Sequence, residues 1–281
     1  MILTSLVFAL QDGVSRHLAS NYHVITVVAL RFWFMAGLTL AVSASREGGI
    51  TRVARTAYPW TQVLRGVLLV AEICVTVLSF VLLGLIASHA IFAVYPLLVA
   101  ALAGPVLGEY VGWRRGLAIA VGLVGVLVIL RPGFQVFSPA ALVPLAGALM
   151  FALYALLTRL VARRDSAGTT FFYTGIAGAM AITLVVPFSW TPMQGRADWL
   201  WMALLCGMAL LGHFLMIKAY EVAEAGIVQP FAYFQLFFIV ILGMALFGER
   251  PDAWTFAGAG LILGAGLYTL VRQARLEPTR G

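Results

Sequence analysis

The sequence predicts an all-α integral membrane protein with ten transmembrane helices, arranged as two inverted five-helix repeats. Three observations predict it: a composition too apolar for a soluble domain, ten separate apolar segments, and a similarity between the two halves of the chain. Of the 281 residues, 62% are hydrophobic and 10% are charged, and the mean hydropathy is +1.00. A soluble domain is about 45–50% apolar and about 25% charged. A soluble globular protein, a disordered chain and a disulfide scaffold are therefore excluded.

Helix is the predicted state of every apolar segment, because a helix satisfies its own backbone hydrogen bonds in lipid. Each segment approaches the roughly 20 residues that a helix needs to cross a bilayer. Short connections, such as the one predicted at residues 86–88, require neighbouring helices to run antiparallel. In chain order, the predicted segments cover residues 2–18, 24–43, 61–83, 88–107, 114–131, 139–159, 169–189, 199–220, 227–247 and 253–271.

Individual segments carry further signals. The first follows Met1 directly with no basic stretch before it, which favours a first span over a cleavable leader. The fourth contains Pro96 and Pro105, which either help to hinge the helix or are simply tolerated in the membrane. The sixth and ninth carry Pro144 and Pro230 in their first turns, where a helix accepts proline.

The distribution of Lys and Arg predicts the orientation. With the N-terminus inside, thirteen of these residues fall on the cytoplasmic side and four outside, while Arg31 lies within the second segment. Because cytoplasmic loops carry the excess of positive charge, both termini are predicted to be cytoplasmic. The same bias explains the net charge of +7, so no nucleic-acid partner is expected. The predicted location is the cytoplasmic (inner) membrane, crossed several times.

The two halves of the chain resemble each other. Segment four ends in Gly108-Glu109 and segment nine ends in Gly248-Glu249, a shift of 140 residues. The same shift aligns His89 with Gln229 and Tyr95 with Gln235. The repeats are predicted to span residues 1–131 and 139–281. Because each contains five spans, the second must enter the membrane from the opposite side, as in many secondary transporters.

These motifs carry a resemblance to a known family. Residues 229–251 begin QPFAYFQL and end LFGERP, and residues 87–109 form their counterpart in the first half. Both stretches resemble the ten-helix EamA branch of the drug/metabolite transporter superfamily. The size, basic charge and aromatic content are most similar to aromatic amino-acid exporters of the YddG type. Leu236 is a departure, since many relatives place there a proline equivalent to Pro96.

The resemblance implies a secondary transporter that exports small metabolites, aromatic amino acids above all, by alternating access. Purines, cationic drugs and other small metabolites are alternative substrates. An integral membrane enzyme is a remote alternative. The four histidines argue against it, because they are scattered along the chain. The sequence contains no Walker motif, zinc pattern or nucleophile elbow. We therefore expect no cofactor, and a small molecule and the lipid bilayer as the partners.

Ionisable groups are costly inside a membrane, which makes each one a candidate for function. Glu72 lies near the centre of segment three. It suits a proton site, a partner for a substrate amine, or a carboxyl group bonded within the bundle. His213 lies near the middle of segment eight and corresponds to Glu72 after a one-residue slip of the repeat. It fits a functional midplane group and a packing residue about equally well.

Polar and amphipathic side chains within the spans complete the predicted substrate pathway. Aromatic walls with a few hydrogen-bonding groups suit an aromatic, zwitterionic solute, although aromatic residues are also ordinary membrane core. The inverted repeat brings Tyr95 and Gln235 close to a central cavity. The predicted pathway comprises Glu72, His89, Tyr95, Tyr154, His213, Gln229, Tyr233 and Gln235.

Other charged groups are predicted to be structural. Asp12 and Arg16 are four residues apart on one helix face, which favours a pair. The neighbouring Gln11 could face the cavity. Arg31 is expected to reach the membrane surface or to pair with Asp12. Glu109 and Glu249 each precede a helix, where a carboxylate meets the positive end of the helix dipole.

Overall fold

The computed structural model describes residues 1–45, 49–108, 113–130, 139–223 and 229–276, and within these ranges every regular element is helical. The first half contains α1 (Ile2–Ala19), α2 (Val24–Ala44), α3 (Gly49–Val53), α4 (Pro59–Leu83), α5 (Leu85–Phe92), α6 (Tyr95–Leu107) and α7 (Trp113–Leu130). The second half contains α8 (Leu142–Val161), α9 (Ala167–Thr183), α10 (Arg196–Val222), α11 (Phe234–Phe247) and α12 (Ala253–Leu276). Short 3-10 turns lie at Pro139–Ala141, Val186–Phe188 and Gln229–Tyr233.

Six helical stretches of the described chain are long and apolar enough to cross a membrane. They are Val24–Ala44, Pro59–Leu83, Leu85–Leu107, Pro139–Val161, Ala167–Phe188 and Arg196–Val222. Shorter apolar helices lie at Gly116–Ile129, Phe231–Phe247 and Ala253–Tyr268. The predicted all-α integral membrane class is confirmed by these helices. The count of ten spans and the inverted repeat stay predictions.

The fourth predicted segment, 88–107, is divided into two helices in the structure. Gly84 ends α4 with a φ of 84°, and α5 starts at the next residue. The turn predicted at residues 86–88 therefore lies at Gly84, where only glycine adopts a positive φ at no steric cost. A second break separates α5 from α6, which carries Pro96 in its first turn. Proline suits that place because the first turn of a helix needs no N–H donor.

Helices from the two halves pack against each other throughout the bundle. Helix α1 lies against α10 and α11, and helix α8 lies against α4 and α6. Helix α2 packs on α9, while α7 and α12 form a pair of their own. The largest buried apolar cluster joins α1, α2, α4, α5, α6 and α8 with α11.

Candidate functional site

A cavity of about 40 Å³ lies between the helices of the bundle. Seven helices contribute to its wall: α1, α2, α4, α5, α8, α10 and α11. The wall is formed by Phe8, Gln11, Asp12, Arg31, Glu72, Ile73, Thr76, Val77, His89, Phe92, Phe151, His213 and Gln235. This volume holds a few water molecules, so a larger solute requires the surrounding helices to move apart.

Asp12 joins three helices at the wall of this cavity. Its Oδ2 atom accepts a hydrogen bond from Gln235 Nε2 at 2.9 Å, and His89 Nε2 lies 3.1 Å from the same oxygen. Gln235 Nε2 and His89 Nε2 are 3.3 Å apart. All three side chains are buried. The group therefore links α1, α5 and α11 through a single carboxylate.

Two further ionisable groups face the cavity from other helices. Glu72 on α4 accepts a hydrogen bond from Thr76 Oγ1 at 2.7 Å. Arg31 on α2 contacts His213 Nε2 on α10 at 2.8 Å through Nη2. Within the described residues, Arg31 has no carboxylate within ion-pair distance. The cavity thus holds two carboxylates and one guanidinium that are not paired with one another.

Aromatic rings cover much of the remaining wall. Phe8 packs against the His213 ring with centroids 5.2 Å apart, and Phe92 packs against Phe151 at 5.6 Å. Tyr95 meets the edge of Phe151 at 4.8 Å. Tilted and edge-to-face contacts of this kind stabilise aromatic clusters beyond their buried area. The cavity therefore combines charged groups with flat apolar surfaces.

A smaller cavity of about 10 Å³ adjoins the central one and shares His89, Phe92 and Gln235 with it. Tyr95 and Tyr233 line the smaller cavity. It lies where α5 gives way to α6 and where the 3-10 turn Gln229–Tyr233 gives way to α11.

Four buried polar atoms of the described chain have no hydrogen-bond partner: Gln11 Oε1, His89 Nδ1, His213 Nδ1 and Tyr233 Oη. All four residues line one or other of the two cavities. An unpaired buried polar atom costs about 1–3 kcal/mol. Native proteins retain few such atoms, and each requires an explanation. A polar solute or water in the cavities would supply the missing partners.

One end of the cavity is tied together by a cluster that we call the clasp, formed by Arg16, Glu249, Leu85 and Ile86. Glu249 forms an ion pair with Arg16 and accepts hydrogen bonds from the Leu85 and Ile86 N–H groups, both at 2.7 Å. The Arg16 guanidinium also lies 4.1 Å from the centre of the Phe247 ring. The clasp joins α1, α5 and the end of α11.

The clasp corrects two predictions. Arg16 pairs with Glu249 and not with Asp12. The reason is that the last turn of α1 lies beside the end of α11, and Glu249 follows α11 directly. Asp12 is left to bind His89 and Gln235. Glu249 does meet the N-terminus of a helix, but this helix is α5 and not the one that follows Glu249. Glu109, for which the same role was predicted, lies outside the described residues.

A second polar cluster lies around Arg65, which is fully buried. Its guanidinium donates to Tyr154 Oη at 3.1 Å and to Thr174 Oγ1 at 2.6 Å. Gln62 Oε1 accepts from Arg65 Nη2 at 3.1 Å, and Gln62 Nε2 in turn donates to Asp165 at 2.9 Å. Thr158 Oγ1 and the Thr170 carbonyl oxygen complete the acceptors. The cluster cross-links α4, α8 and α9.

The predicted pathway residues are distributed over three places. Glu72, His89, His213 and Gln235 line the central cavity, and Tyr95 and Tyr233 line the smaller one. Tyr154 lines neither cavity, because its hydroxyl is bound to Arg65. The side chain of Gln229 lies outside the described residues. The functional roles of all eight residues stay predictions.

Sequence reasoning undervalued Asp12 and Arg31, which it assigned to structural roles. Both line the central cavity. A usable signal was the spacing of Phe8, Gln11 and Asp12, which places an amide, a carboxylate and a ring on one face of α1. For Arg31, the signal was its place inside an otherwise apolar segment. Among the described residues, no group of three or more His, Cys, Asp and Glu side chains is placed to hold a metal ion.

Comparison with known proteins shows which proteins the chain is similar to. Residues 138–271 match the EamA-like transporter family, which confirms the resemblance to EamA transporters over this part of the chain. The chain is 26% identical over 275 residues to an S-adenosylmethionine uptake transporter of Rickettsia prowazekii, covering 98% of this chain and 92% of that protein. It is 26% identical over 271 residues to a riboflavin transporter of Vibrio cholerae, covering 94% and 89%.

The fold also matches a solved structure. A crystal structure of another protein superimposes with a TM-score of 0.68 at 17% identity and covers 98% of this chain and 96% of its own. The chain is thus similar to small-molecule transporters in sequence and to this solved structure in fold. These two relatives are named for S-adenosylmethionine and riboflavin, so they do not support the finer resemblance to aromatic amino-acid exporters.

Proposed function

We propose that the chain is a secondary transporter that moves a positively charged, ring-bearing metabolite across the cell membrane through the central cavity. The observation that carries this proposal is the set of buried ionisable groups around the cavity. Asp12, Glu72 and Arg31 are buried at its wall and form no ion pair with one another. Intramembrane charges are costly and mark substrate or ion pathways.

We further propose ten spans in two inverted repeats, and two pairs of features support it. Gly108 and Gly248, 140 residues apart, both end a helix in the left-handed conformation, with φ of 74° and 62°. The break before Tyr95 has a counterpart one residue away from the same shift, where the 3-10 turn ends and α11 begins at Phe234. The second break forms with Leu236 in place of the proline. Alternating access then consists of one repeat rocking against the other.

The balance of charge indicates the class of solute. The two carboxyl groups at the wall, Asp12 and Glu72, offer acceptors to a solute that carries positive groups. The aromatic wall formed by Phe8, Phe92 and Phe151 suits a flat ring. S-adenosylmethionine, the solute named for the Rickettsia relative, has both features. It carries a sulfonium, an ammonium and a carboxylate together with an adenine ring.

The alternatives fit the same cavity less well. Riboflavin, named for the Vibrio relative, has a flat ring but no charge, so it would bring no opposite charge to Asp12, Glu72 or Arg31. An aromatic amino acid is a zwitterion with one positive group. That group can face only one of the two carboxylates of the cavity. We propose uptake and not export, because the S-adenosylmethionine relatives are named as uptake transporters. Relatives named as transporters also favour a transporter over an enzyme.

Transport by the purified protein in proteoliposomes tests the proposal. Labelled S-adenosylmethionine is exchanged against unlabelled solute, with riboflavin, tryptophan and phenylalanine as competitors. We expect S-adenosylmethionine to exchange and the other three to compete weakly. The variants D12N and E72Q should each abolish exchange. The matched control is E221Q, in which the altered carboxylate lies in an exposed pair with Lys218 away from the cavity. Exchange of riboflavin or tryptophan in place of S-adenosylmethionine would refute the proposed solute.

A further inference from the structure

We propose that Arg31 and His213 form a subsite for the carboxylate of an α-amino acid group on the solute, an inference that rests on the proposed function. The subsite lies on α2 and α10. The carboxylates Asp12 and Glu72 lie on α1 and α4. Positive and negative groups therefore enter the cavity from different helices, so a solute with both kinds of charge would bind in one orientation.

The first observation is the incomplete environment of Arg31. Its side chain is 3% exposed, and among the described residues His213 is its one hydrogen-bond partner. A guanidinium carries five N–H donors and no acceptor. A buried guanidinium with no carboxylate in direct contact leaves most of these donors unsatisfied, which is costly. An anionic group of the solute would provide the missing acceptor and the missing charge.

The second observation is the protonation of His213. Its Nε2 atom contacts Arg31 Nη2 at 2.8 Å, and a guanidinium can only donate. Nε2 is therefore the acceptor, so the neutral ring carries its proton on Nδ1. This Nδ1–H is buried and has no partner in the described chain. Arg31 thus fixes the tautomer that presents a second unpaired donor on the same helix pair.

A carboxylate satisfies both groups at once. It is the solute group that accepts several hydrogen bonds and carries a full negative charge, and arginine binds it in a two-pronged manner. The two carboxylates of the protein are already engaged. Asp12 accepts from Gln235 and lies beside His89, and Glu72 accepts from Thr76. They are left to face the positive groups of the same solute.

Paired ligands that differ only in the carboxylate test the subsite. Affinities of the full chain in detergent are measured for S-adenosylmethionine and its decarboxylated analogue, and in parallel for tryptophan and tryptamine. For the pair that binds, we expect wild-type protein to favour the carboxylated member by tenfold or more. R31Q and H213F should each reduce this preference to less than threefold, by weakening the carboxylated member alone. D12N serves as the control and should weaken both members.

The outcomes separate the subsite from the proposed function. Equal affinities of wild-type protein for both members of the bound pair would overturn the subsite and leave the transporter proposal standing. A preference that persists in R31Q and H213F would also overturn it, by assigning the carboxylate to other residues. Failure of wild-type protein to bind either pair would overturn both proposals. If either variant fails to fold, the other variant and the wild-type comparison still decide the question.

Discussion

Glu249 is expected to hold the bundle closed at the clasp, and its conversion to glutamine should loosen that end. The carboxylate receives Arg16 and the N–H groups of Leu85 and Ile86. Glutamine has nearly the same shape but replaces one oxygen with an NH₂ group. If its oxygen keeps the position of Oε1, the NH₂ group faces the Ile86 N–H, and two donors then oppose each other.

The size of the effect follows from these contacts. Leaving the Ile86 N–H unpaired costs about 1–3 kcal/mol. The ion pair with Arg16 is partly exposed, at 21% and 16% of the two side chains, so we count it at no more than about 1 kcal/mol. Together, these losses amount to about 2 kcal/mol or more. At 1.4 kcal/mol per tenfold change, the equilibrium between the closed and open clasp would shift by about 30-fold.

Labelling of a cavity cysteine measures that shift. Val77 is buried at the wall of the central cavity and is replaced by cysteine after Cys74 and Cys206 have been changed to alanine. An impermeant thiol reagent is then applied to intact cells. Because the predicted topology puts the clasp outside, E249Q should raise the labelling rate at position 77 by about 10-fold to 30-fold.

A matched variant and a clear negative result complete this test. E221Q removes a carboxylate from the exposed pair with Lys218, which the predicted topology puts at the cytoplasmic end, and should leave the rate unchanged. An unchanged rate in E249Q would mean that the clasp does not limit access from outside. The reasoning from its hydrogen bonds to gating would then be wrong.

Three other predictions concern stability, topology and transport. R65M should lower the free energy of unfolding by about 3 kcal/mol, because it leaves several buried acceptors unpaired. Thermal unfolding in detergent measures this loss. The control is R159M, whose arginine bonds to the Tyr220 carbonyl oxygen, and a loss in R65M no larger than in R159M would contradict the prediction. A cysteine at position 52 should react with an impermeant reagent in broken but not intact cells, and labelling from outside would reverse the topology. E72Q should abolish transport while folded protein remains in the membrane; wild-type flux would reduce Glu72 to a structural residue.

Much of the helical framework could be predicted, because an apolar stretch in a membrane has helix as its one satisfied state. The predicted segment 2–18 corresponds to Ile2–Ala19 in the structure. The break between α5 and α6 could not be located in the same way. Hydropathy stays high across it, and the presence of Pro96 in an apolar segment indicates either a kink or a tolerated proline.

Site residues could be predicted where the signal was the cost of burying an ionisable group in a membrane. Their hydrogen-bond partners could not be predicted. Glu72 and His213 were recognised because ionisable groups inside spans are rare, and both line the cavity. Asp12 was assigned to Arg16 because a sequence offers only partners one helical turn away. Its true neighbours, His89 and Gln235, are 77 and 223 residues distant along the chain. Such contacts arise from the packing of whole helices, which no local spacing encodes.

The turn at Gly84 limits how this part of the chain can evolve. A Cβ atom at position 84 would lie 2.7 Å from Glu249 Oε1, and the φ of 84° already disfavours any residue with a Cβ. The absence of a side chain at one position thus makes room for the carboxylate at the other. The two positions are expected to covary among homologues, so that glycine at 84 accompanies glutamate at 249. In homologues that lack the glutamate, position 84 no longer has to leave space for a carboxylate. Residues larger than glycine should therefore occur at position 84 in those homologues.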